Sequence, residues 1–260
     1  MSLELFKKIM KLIKYPFILL WRVWFYVIIL ITIVVLSPIL IVVTYHEKHY
    51  PYFYKMAHYW GKLIVFLMGF KIRVLSSTPL ITHKSYMLSP NHTSLIDAMV
   101  LLAIVPYNPF VFVGKIELKK IPIFGYFYRK TCILVDRNDK TSRASVYSNT
   151  LRKLKYGYSI CIFPEGGVPQ RDKILDKFKD GAFKMSIEHN IPIVPFSFLN
   201  FKEHMSWKFF SGGPGTLLVK MHDPIPTDNL TMEDMEDLKQ KVREIILKDL
   251  EDYESNRKVE

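Results

Sequence analysis

The chain has 260 residues, enough for one sizeable hydrophobic core, so its length favours one globular domain with an appendage. Half of the residues are hydrophobic and the net charge is +12, but residues 223–260 alone carry a net −6 and the rest of the chain +18. A basic body favours an anionic partner: lipid head groups, phosphorylated substrates, an acidic carrier protein or nucleic acid. The chain has two cysteines, Cys132 and Cys161, and both lie in apolar runs that are typical of strands. This pattern does not indicate a disulfide scaffold, and it favours a reducing compartment.

The first 45 residues have the pattern of a membrane-associating segment. Up to Pro16, a helix would place apolar side chains on one face and lysines on the other, as in an interfacial basic helix: Leu5, Phe6, Ile9, Met10 and Ile13 against Lys7, Lys8, Lys11 and Lys14. Residues 23–45 contain no charge and would form a helix about 34 Å long, enough for a hydrocarbon core of roughly 30 Å.

The path of this segment through the bilayer stays open at this point. Pro38 interrupts the run, and a second apolar patch at 63–70 is too short to cross. One crossing helix and two helices that dip into one leaflet both fit, and the lysine-rich flank predicts the cytoplasmic face of the cell membrane. We therefore expect membrane-associating helices over residues 1–70 and a separate domain over 71–260.

Beyond residue 70, short apolar runs alternate with mixed segments. The runs predict seven strands, at 71–76, 85–90, 110–114, 132–136, 159–166, 191–198 and 215–221. Helical periodicity occupies 94–105, 141–155, 175–190 and 231–252. This alternation predicts an α/β fold, a mixed sheet flanked by helices.

His92 and Asp97 stand five residues apart in the apolar stretch SPNHTSLIDAMVLL. Ser-Pro-Asn ends a predicted strand, and Ser94 followed by Asp97 resembles a capping box, so we expect the helix to start at Ser94. Asp97 could then hold one imidazole nitrogen of His92 and leave the other as a general base. The alternative is that Asp97 only caps the helix. A metal site is not expected, because no third ligand lies at a useful spacing.

A second polar stretch, CIFPEGGVPQRDK, spans residues 161–173 and overlaps the strand run at 159–166. We expect the strand itself to end at Phe163 and the chain to turn sharply over Pro164-Glu165-Gly166-Gly167. Its glycines would let backbone N–H groups converge on an anion, and Arg171 and Lys173 could add charge-assisted contacts. The alternative is an ordinary turn after a strand.

Four blocks together resemble the glycerolipid acyltransferase family, most closely its 1-acyl-glycerol-3-phosphate (lysophosphatidic acid) acyltransferase branch. They are NHTSLID, GKIELKKIPIFGYFYRKTCILVDR, FPEGG and IPIVPFSF, in that order, and the similarity covers roughly residues 60–222. The resemblance implies acyl transfer from a thioester of acyl-carrier protein or coenzyme A to a lyso-lipid hydroxyl. It also implies a mixed sheet flanked by helices and N-terminal membrane helices. Separately, we expect no cofactor.

Carried over residue by residue, the resemblance makes His92 the general base and Asp97 its partner. Lys115 and Arg137 match positions that hold the acceptor's phosphate, and Glu165 and Gly166 match the block that binds the glycerol phosphate. Gly167 and Val168 stand where the family usually has threonine and arginine, so an expected phosphate ligand is missing unless Arg171 replaces it.

Despite this departure from the family pattern, we still expect acyl transfer, but the head group of the acceptor is no longer determined. The alternatives are transfer to another lyso-lipid, such as an N-acylated amino acid, and a non-catalytic protein that binds acidic membrane surfaces. An acyl-enzyme on Ser94 is a further, minor option. Nucleic acid is not an expected partner, because no groove-reading motif is present.

Overall fold

The computed structural model describes residues 3–136, 139–167 and 173–259. The helices are α1 (Leu3–Val43), α2 (Tyr50–Leu67), α3 (Asp97–Ile104), α4 (Phe124–Thr131), α5 (Lys140–Lys155), α6 (Gly181–Glu188), α7 (Phe201–Met205) and α8 (Met235–Val259). Short 3-10 turns occupy Glu47–His49, Ile116–Lys120 and Met232–Asp234. The strands are β1 (Phe70–Ser76), β2 (Met87–Pro90), β3 (Phe110–Lys115), β4 (Ile133–Val135), β5 (Ser159–Cys161), β6 (Ile193–Phe198) and β7 (Gly215–Met221).

The seven strands form one mixed sheet in the order β1-β7-β6-β2-β5-β3-β4. All neighbouring pairs are parallel except β6 and β7. β2 and β6 are buried along their whole length, as is usual for strands covered by helices on both faces. The predicted mixed α/β sheet is confirmed, and each of the seven predicted strands is present.

Three predicted elements differ from the structure. The strand expected within the run at 159–166 ends at Cys161. The helix expected to start near residue 175 is α6, which begins at Gly181. The backbone before α6 is not helical because it is hydrogen-bonded to the loop after β5, where Lys179 N donates to Pro164 O at 2.8 Å. Cys132 follows α4 and lies outside a strand, although both cysteines are free thiols as expected. Helix α4 itself was not predicted.

Helix α1 is continuous from Leu3 to Val43, so the prediction that its first part ends at Pro16 was wrong. Pro38 also lies inside the helix. Pro38 has no N–H to give the carbonyl of Val34, and the Ser37 hydroxyl donates to that carbonyl instead, at 2.7 Å. Among the described residues, one helical stretch, Lys14–Val43, is long and apolar enough to cross a membrane by length and composition, and its most apolar window is only 17 % buried.

The N-terminal helices also pack on the sheet domain. Phe25 and Ile28 of α1, with Tyr54 and Ile64 of α2, belong to the same buried cluster as the strands. Trp21 Nε1 donates to Met68 O at 3.1 Å. The expected division of the chain at residue 70 stays a prediction, and the two parts share one core.

Candidate active site

The polar side chains singled out from the sequence follow the ends of neighbouring parallel strands. His92 comes two residues after β2, Glu165 follows β5, and Lys115 is the last residue of β3. Because β2, β5 and β3 are adjacent and parallel, their carboxyl ends meet at one edge of the sheet. Loops at this edge are where α/β sheets place their ligands.

His92 and Asp97 form a direct contact, with 2.8 Å between His92 Nδ1 and Asp97 Oδ2. The same carboxylate oxygen accepts hydrogen bonds from the backbone N–H groups of Thr93 and Ser94, at 2.7 and 2.9 Å. A carboxylate can only accept, so Nδ1 carries the proton and Nε2 of the neutral ring is available as a base. Asp97 is fully buried, and this burial raises its pKa, while the bond to His92 and the two backbone amides oppose the rise.

Ser94 does not cap a helix as the sequence suggested. Helix α3 begins at Asp97, three residues later, and its N-cap residue Ile96 makes no side-chain capping bond. The Ser94 hydroxyl donates to Met205 O at 2.6 Å and accepts from Ile96 N at 3.2 Å. Its proton is committed to a carbonyl, which disfavours Ser94 as a nucleophile.

Glu165 connects the loop that carries His92 to the segment before α6. Its Oε1 accepts from the backbone N–H of His92 at 2.7 Å, and its Oε2 accepts from Asp176 N at 3.1 Å. The side chain is buried, and burial raises its pKa to about 7. This geometry favours a role in positioning His92 over direct contact with an anion, and the expected contact with glycerol phosphate stays a prediction.

The glycine turn after β5 brings a lysine that the sequence analysis missed. Gly166 adopts a φ of 69°, the left-handed region that favours glycine, and its N–H closes the turn onto Phe163 O at 3.0 Å. Lys179 lies across it, so that a methyl group on Gly166 would come within 3.1 Å of Lys179 Nζ. Lys173, expected to contact an anion, instead bonds Asp176 at 3.3 Å.

A cavity of about 2020 Å³ opens in front of His92. Cations and glycines line it near the base, and apolar side chains line it elsewhere. The polar part includes Lys115, Gly166, Gly167 and Lys179; the apolar part includes Ile33, Leu36, Leu40, Phe53, Trp60 and Phe127. Lys115 and Lys179 are exposed, and their side chains make no hydrogen bond or ion pair with any residue that the structure describes. Arg137 and Arg171, both expected at this site, lie outside the described residues.

The His92 ring is packed between aromatic side chains. Its centroid is 4.3 Å from that of Phe163 and 6.0 Å from that of Trp207. The imidazole is therefore held in one orientation with a quarter of its side-chain surface exposed, toward the cavity. Within the described ranges, no cluster of three or more His, Cys, Asp or Glu side chains could hold a metal ion.

Comparison with known proteins agrees with this geometry. The family model described as Acyltransferase matches residues 71–199, which contain the His92 loop, the end of β3 and the glycine turn. Residues 71–199 of the chain belong to the acyltransferase family.

Individual relatives extend the match. An uncharacterized acyltransferase of Schizosaccharomyces pombe is 29% identical over 66% of this chain and 62% of its own length, so this chain spans about three fifths of that relative. The 1-acyl-sn-glycerol-3-phosphate acyltransferase of Escherichia coli is 29% identical over 73% of this chain and 76% of its own. The crystal structure of a 1-acyl-sn-glycerophosphate acyltransferase from Thermotoga maritima superposes with a TM-score of 0.77 at 23% identity, covering 93% of this chain and 98% of that one, which shows a common fold.

Two residues at the site, Lys179 and Trp207, had no signal that sequence reasoning could use. Lys179 reaches the glycine turn through one backbone hydrogen bond, from its own N–H to Pro164 O. Trp207 reaches His92 from the loop before β7, far along the chain. Both placements depend on tertiary contacts between loops, which leave no periodicity in the sequence.

Proposed function

We propose that this chain transfers a fatty acyl group from a thioester to the free hydroxyl of 1-acyl-glycerol-3-phosphate, giving phosphatidic acid. The observation that carries the proposal is the His92–Asp97 pair at the polar end of a large apolar cavity, beside two unpaired lysines. A buried carboxylate that orients an exposed imidazole is the arrangement of a general base. The match to the acyltransferase family supports the same chemistry.

The reaction follows from the side chains. His92 Nε2 removes the proton of the acceptor hydroxyl as its oxygen attacks the thioester carbonyl, and Asp97 stabilises the imidazolium that forms. When the tetrahedral intermediate collapses, the carbon–sulfur bond breaks and the imidazolium returns the proton to the leaving thiolate. The acceptor brings its own nucleophile, so no covalent acyl-enzyme is needed.

The acceptor's phosphate meets the described cations of the cavity in this proposal. Lys115 ends β3 and Lys179 crosses the glycine turn, and a phosphate monoester carries close to two negative charges at neutral pH. Arg137 and Arg171 remain proposed ligands from the family resemblance. The apolar walls between α1, α2 and α4 would hold an acyl chain.

We further propose that the chain acts at the cytoplasmic face of the cell membrane, attached through α1 and α2. Many apolar side chains of α1 are exposed, among them Phe17, Leu20, Val35 and Val42. Such a surface is unfavourable in water and favourable in a bilayer, and the lysines before it match anionic head groups.

A second acceptor class follows from one departure in the sequence. Because Gly167 and Val168 replace the threonine and arginine usual in the family, an acceptor without a phosphate, such as an N-acylated amino acid, is the alternative.

The test uses the purified full-length protein with a panel of lyso-lipids, with acyl-carrier protein and coenzyme A thioesters of several chain lengths, and products identified by mass. We expect phosphatidic acid from lysophosphatidate. Product only from acceptors that lack phosphate would favour the alternative, and no acylated product with any pair would contradict acyl transfer.

A further inference from the structure

A short turn between α7 and β7 exposes three aromatic side chains. Trp207, Phe209 and Phe210 have 52%, 38% and 55% of their surface exposed, and Lys208 lies between them. We name residues 207–210 the aromatic turn. Exposed aromatic side chains clustered on one turn form an apolar patch of the kind that marks an interaction site.

The aromatic turn is fixed to α1 by a buried arginine. Arg22 is only 1% exposed, and its Nη2 donates to Lys208 O at 2.8 Å and to Ser211 O at 2.7 Å. The ring of Tyr15 also meets that of Phe210 edge to face, with 5.6 Å between centroids. The turn therefore continues the exposed apolar surface of the first half of α1.

The same turn borders the candidate active site. Trp207 lines the cavity, and its ring stands edge to face with His92. A surface that binds the aromatic turn would therefore also lie next to the opening of the cavity.

We propose that the aromatic turn inserts into the interfacial region of an anionic lipid bilayer, beside the first half of α1, and so places the cavity opening where the acceptor lipid lies. This inference rests on the proposed function, since it assumes a lipid acceptor. Tryptophan and tyrosine concentrate at the membrane–water interface, and phenylalanine prefers the apolar side of it. Lys208 and the exposed Lys14 complement anionic head groups. The acidic C-terminal segment, by contrast, would be repelled by such a surface.

The first experiment places an environment-sensitive nitrobenzoxadiazole probe on a cysteine at position 210 in the full-length protein. Phe210→Cys carries the probe, and Met232→Cys is the control, because Met232 is a similarly exposed apolar side chain next to Glu233 and Asp234. The wild-type protein, whose Cys161 is buried and Cys132 partly buried, reports the background labelling.

With vesicles of phosphatidylcholine and phosphatidylglycerol, we expect the probe at 210 to shift to shorter wavelength and to be quenched by lipids brominated on their acyl chains. The probe at 232 should show neither change. Sedimentation with the same vesicles is measured in parallel. Protein that sediments while the probe at 210 keeps its emission in water would overturn the inference and leave the proposed function standing. Protein that does not sediment would contradict membrane attachment itself, and the inference with it.

The second experiment separates insertion from catalysis. In Phe209→Ser/Phe210→Ser, transfer to a lyso-lipid embedded in vesicles should fall by about tenfold, the scale expected for removing two partly buried aromatic rings from an interface. Transfer to a short-chain lysophosphatidate dissolved as monomers should be unchanged, because neither side chain lines the cavity. Equal losses with both acceptors would indicate a damaged fold and overturn the inference.

Discussion

In the part of the chain that the structure describes, one histidine besides His92 pairs with an aspartate. His222 Nε2 lies 2.7 Å from Asp249 Oδ2, where α8 meets the sheet, with Lys220 bonded to the same carboxylate. The pairs differ in their surroundings, because only His92 opens on the cavity. A histidine–aspartate pair alone therefore does not distinguish a general base from a structural contact. His222 serves as a matched control for His92.

We predict that His92→Ala lowers transfer by at least about a hundredfold, since general-base catalysis is typically worth about 10² to 10⁴. Asp97→Asn should be of similar severity, because an amide favours the wrong imidazole tautomer. His222→Ala should keep most of the activity. Initial rates on lysophosphatidate, with circular dichroism of each variant, check this. More than about a hundredth of the activity in His92→Ala would remove His92 from the role of base.

Lys179 is the cation for which the structure makes the most specific prediction. Lys179→Ala should lower kcat/KM for lysophosphatidate by at least about tenfold, because a lysine that pairs with a phosphate contributes a charge-assisted hydrogen bond. The same change should matter little for an acceptor without phosphate. Lys177→Ala is the control, since Lys177 is exposed on the same segment and does not line the cavity. Equal effects of the two variants would leave Lys179 without a role in recognition. Arg171→Ala, assayed beside them, tests the ligand expected from the sequence.

Glu165 makes stability depend on pH in a direction opposite to that of most carboxylates. Because its pKa is raised from 4.5 to about 7, the folded protein keeps this proton where the unfolded chain has lost it. The resulting stabilisation is complete below about pH 4.5 and is lost as the pH rises through 7, an effect of up to about 3 kcal/mol. Glu165→Gln should lack this component. Melting temperatures of both proteins in detergent at pH 5 and pH 8 measure the difference, and parallel pH profiles would contradict it.

How far the site could be predicted depends on how far apart the two partners of each contact lie in the sequence. His92 and Asp97 lie close in sequence, and the blocks around them and around Glu165 occur in a recognisable order, so the sequence was sufficient to select them. The roles were harder to predict. Whether Glu165 faces a substrate or the amide of His92 is decided by how two loops pack, and no local pattern encodes that packing.

At the scale of elements, α1, α2 and α4 form the apolar wall of the cavity, and the smallest cavity-lining side chain on α2 is Ala57. We predict that Ala57→Trp narrows the cavity at this wall and shifts the preference among acyl donors toward shorter chains. The reason is that the indole would occupy the volume that the last methylenes of a long acyl chain need. Ala57→Ser, close in volume to alanine, should keep the original preference. Competition between thioesters of different length, with products read by mass, measures the shift. An unchanged chain-length profile in Ala57→Trp would place the acyl chain elsewhere.

Strands were easier to predict than helices in this chain. Each strand is a short apolar run between turn residues, and burial on both faces makes that signal strongest in β2, β5 and β6. Helix α4 was not predicted because it is short, follows Pro122 and contains Gly125 in its first turn. The close packing of Gly125 on the backbone of Lys119 is a tertiary feature. The prolines of α1 suggested breaks, but a hydroxyl one residue before Pro38 satisfies the carbonyl that proline leaves open.

At the scale of the whole molecule, the proposed membrane attachment by α1 predicts that salt does not release the protein. Washing membranes with about 1 M salt should not release the intact protein, because screening shortens the range of charge interactions to roughly 3 Å but leaves apolar burial unchanged. Deletion of residues 1–45 should make the protein leave the membrane or aggregate, since it also removes Phe25 and Ile28 from the core. Fractionation and light scattering distinguish these results. Clean release by salt would mean a purely electrostatic association.

The bonds from Arg22 to Lys208 O and Ser211 O join residues 186 and 189 positions apart. A ribosome delivers α1 long before the segment that receives its arginine. During most of synthesis, Arg22 is therefore the one charged side chain of the apolar part of α1, residues 15–43, without these partners. If α1 is attached to a membrane as proposed, the bilayer surface supplies water or phosphate to such a group. The contacts of Arg22 with residues 208 and 211 form only when most of the chain has been synthesised. Insertion of α1 into the membrane would therefore precede the final folding of the catalytic domain.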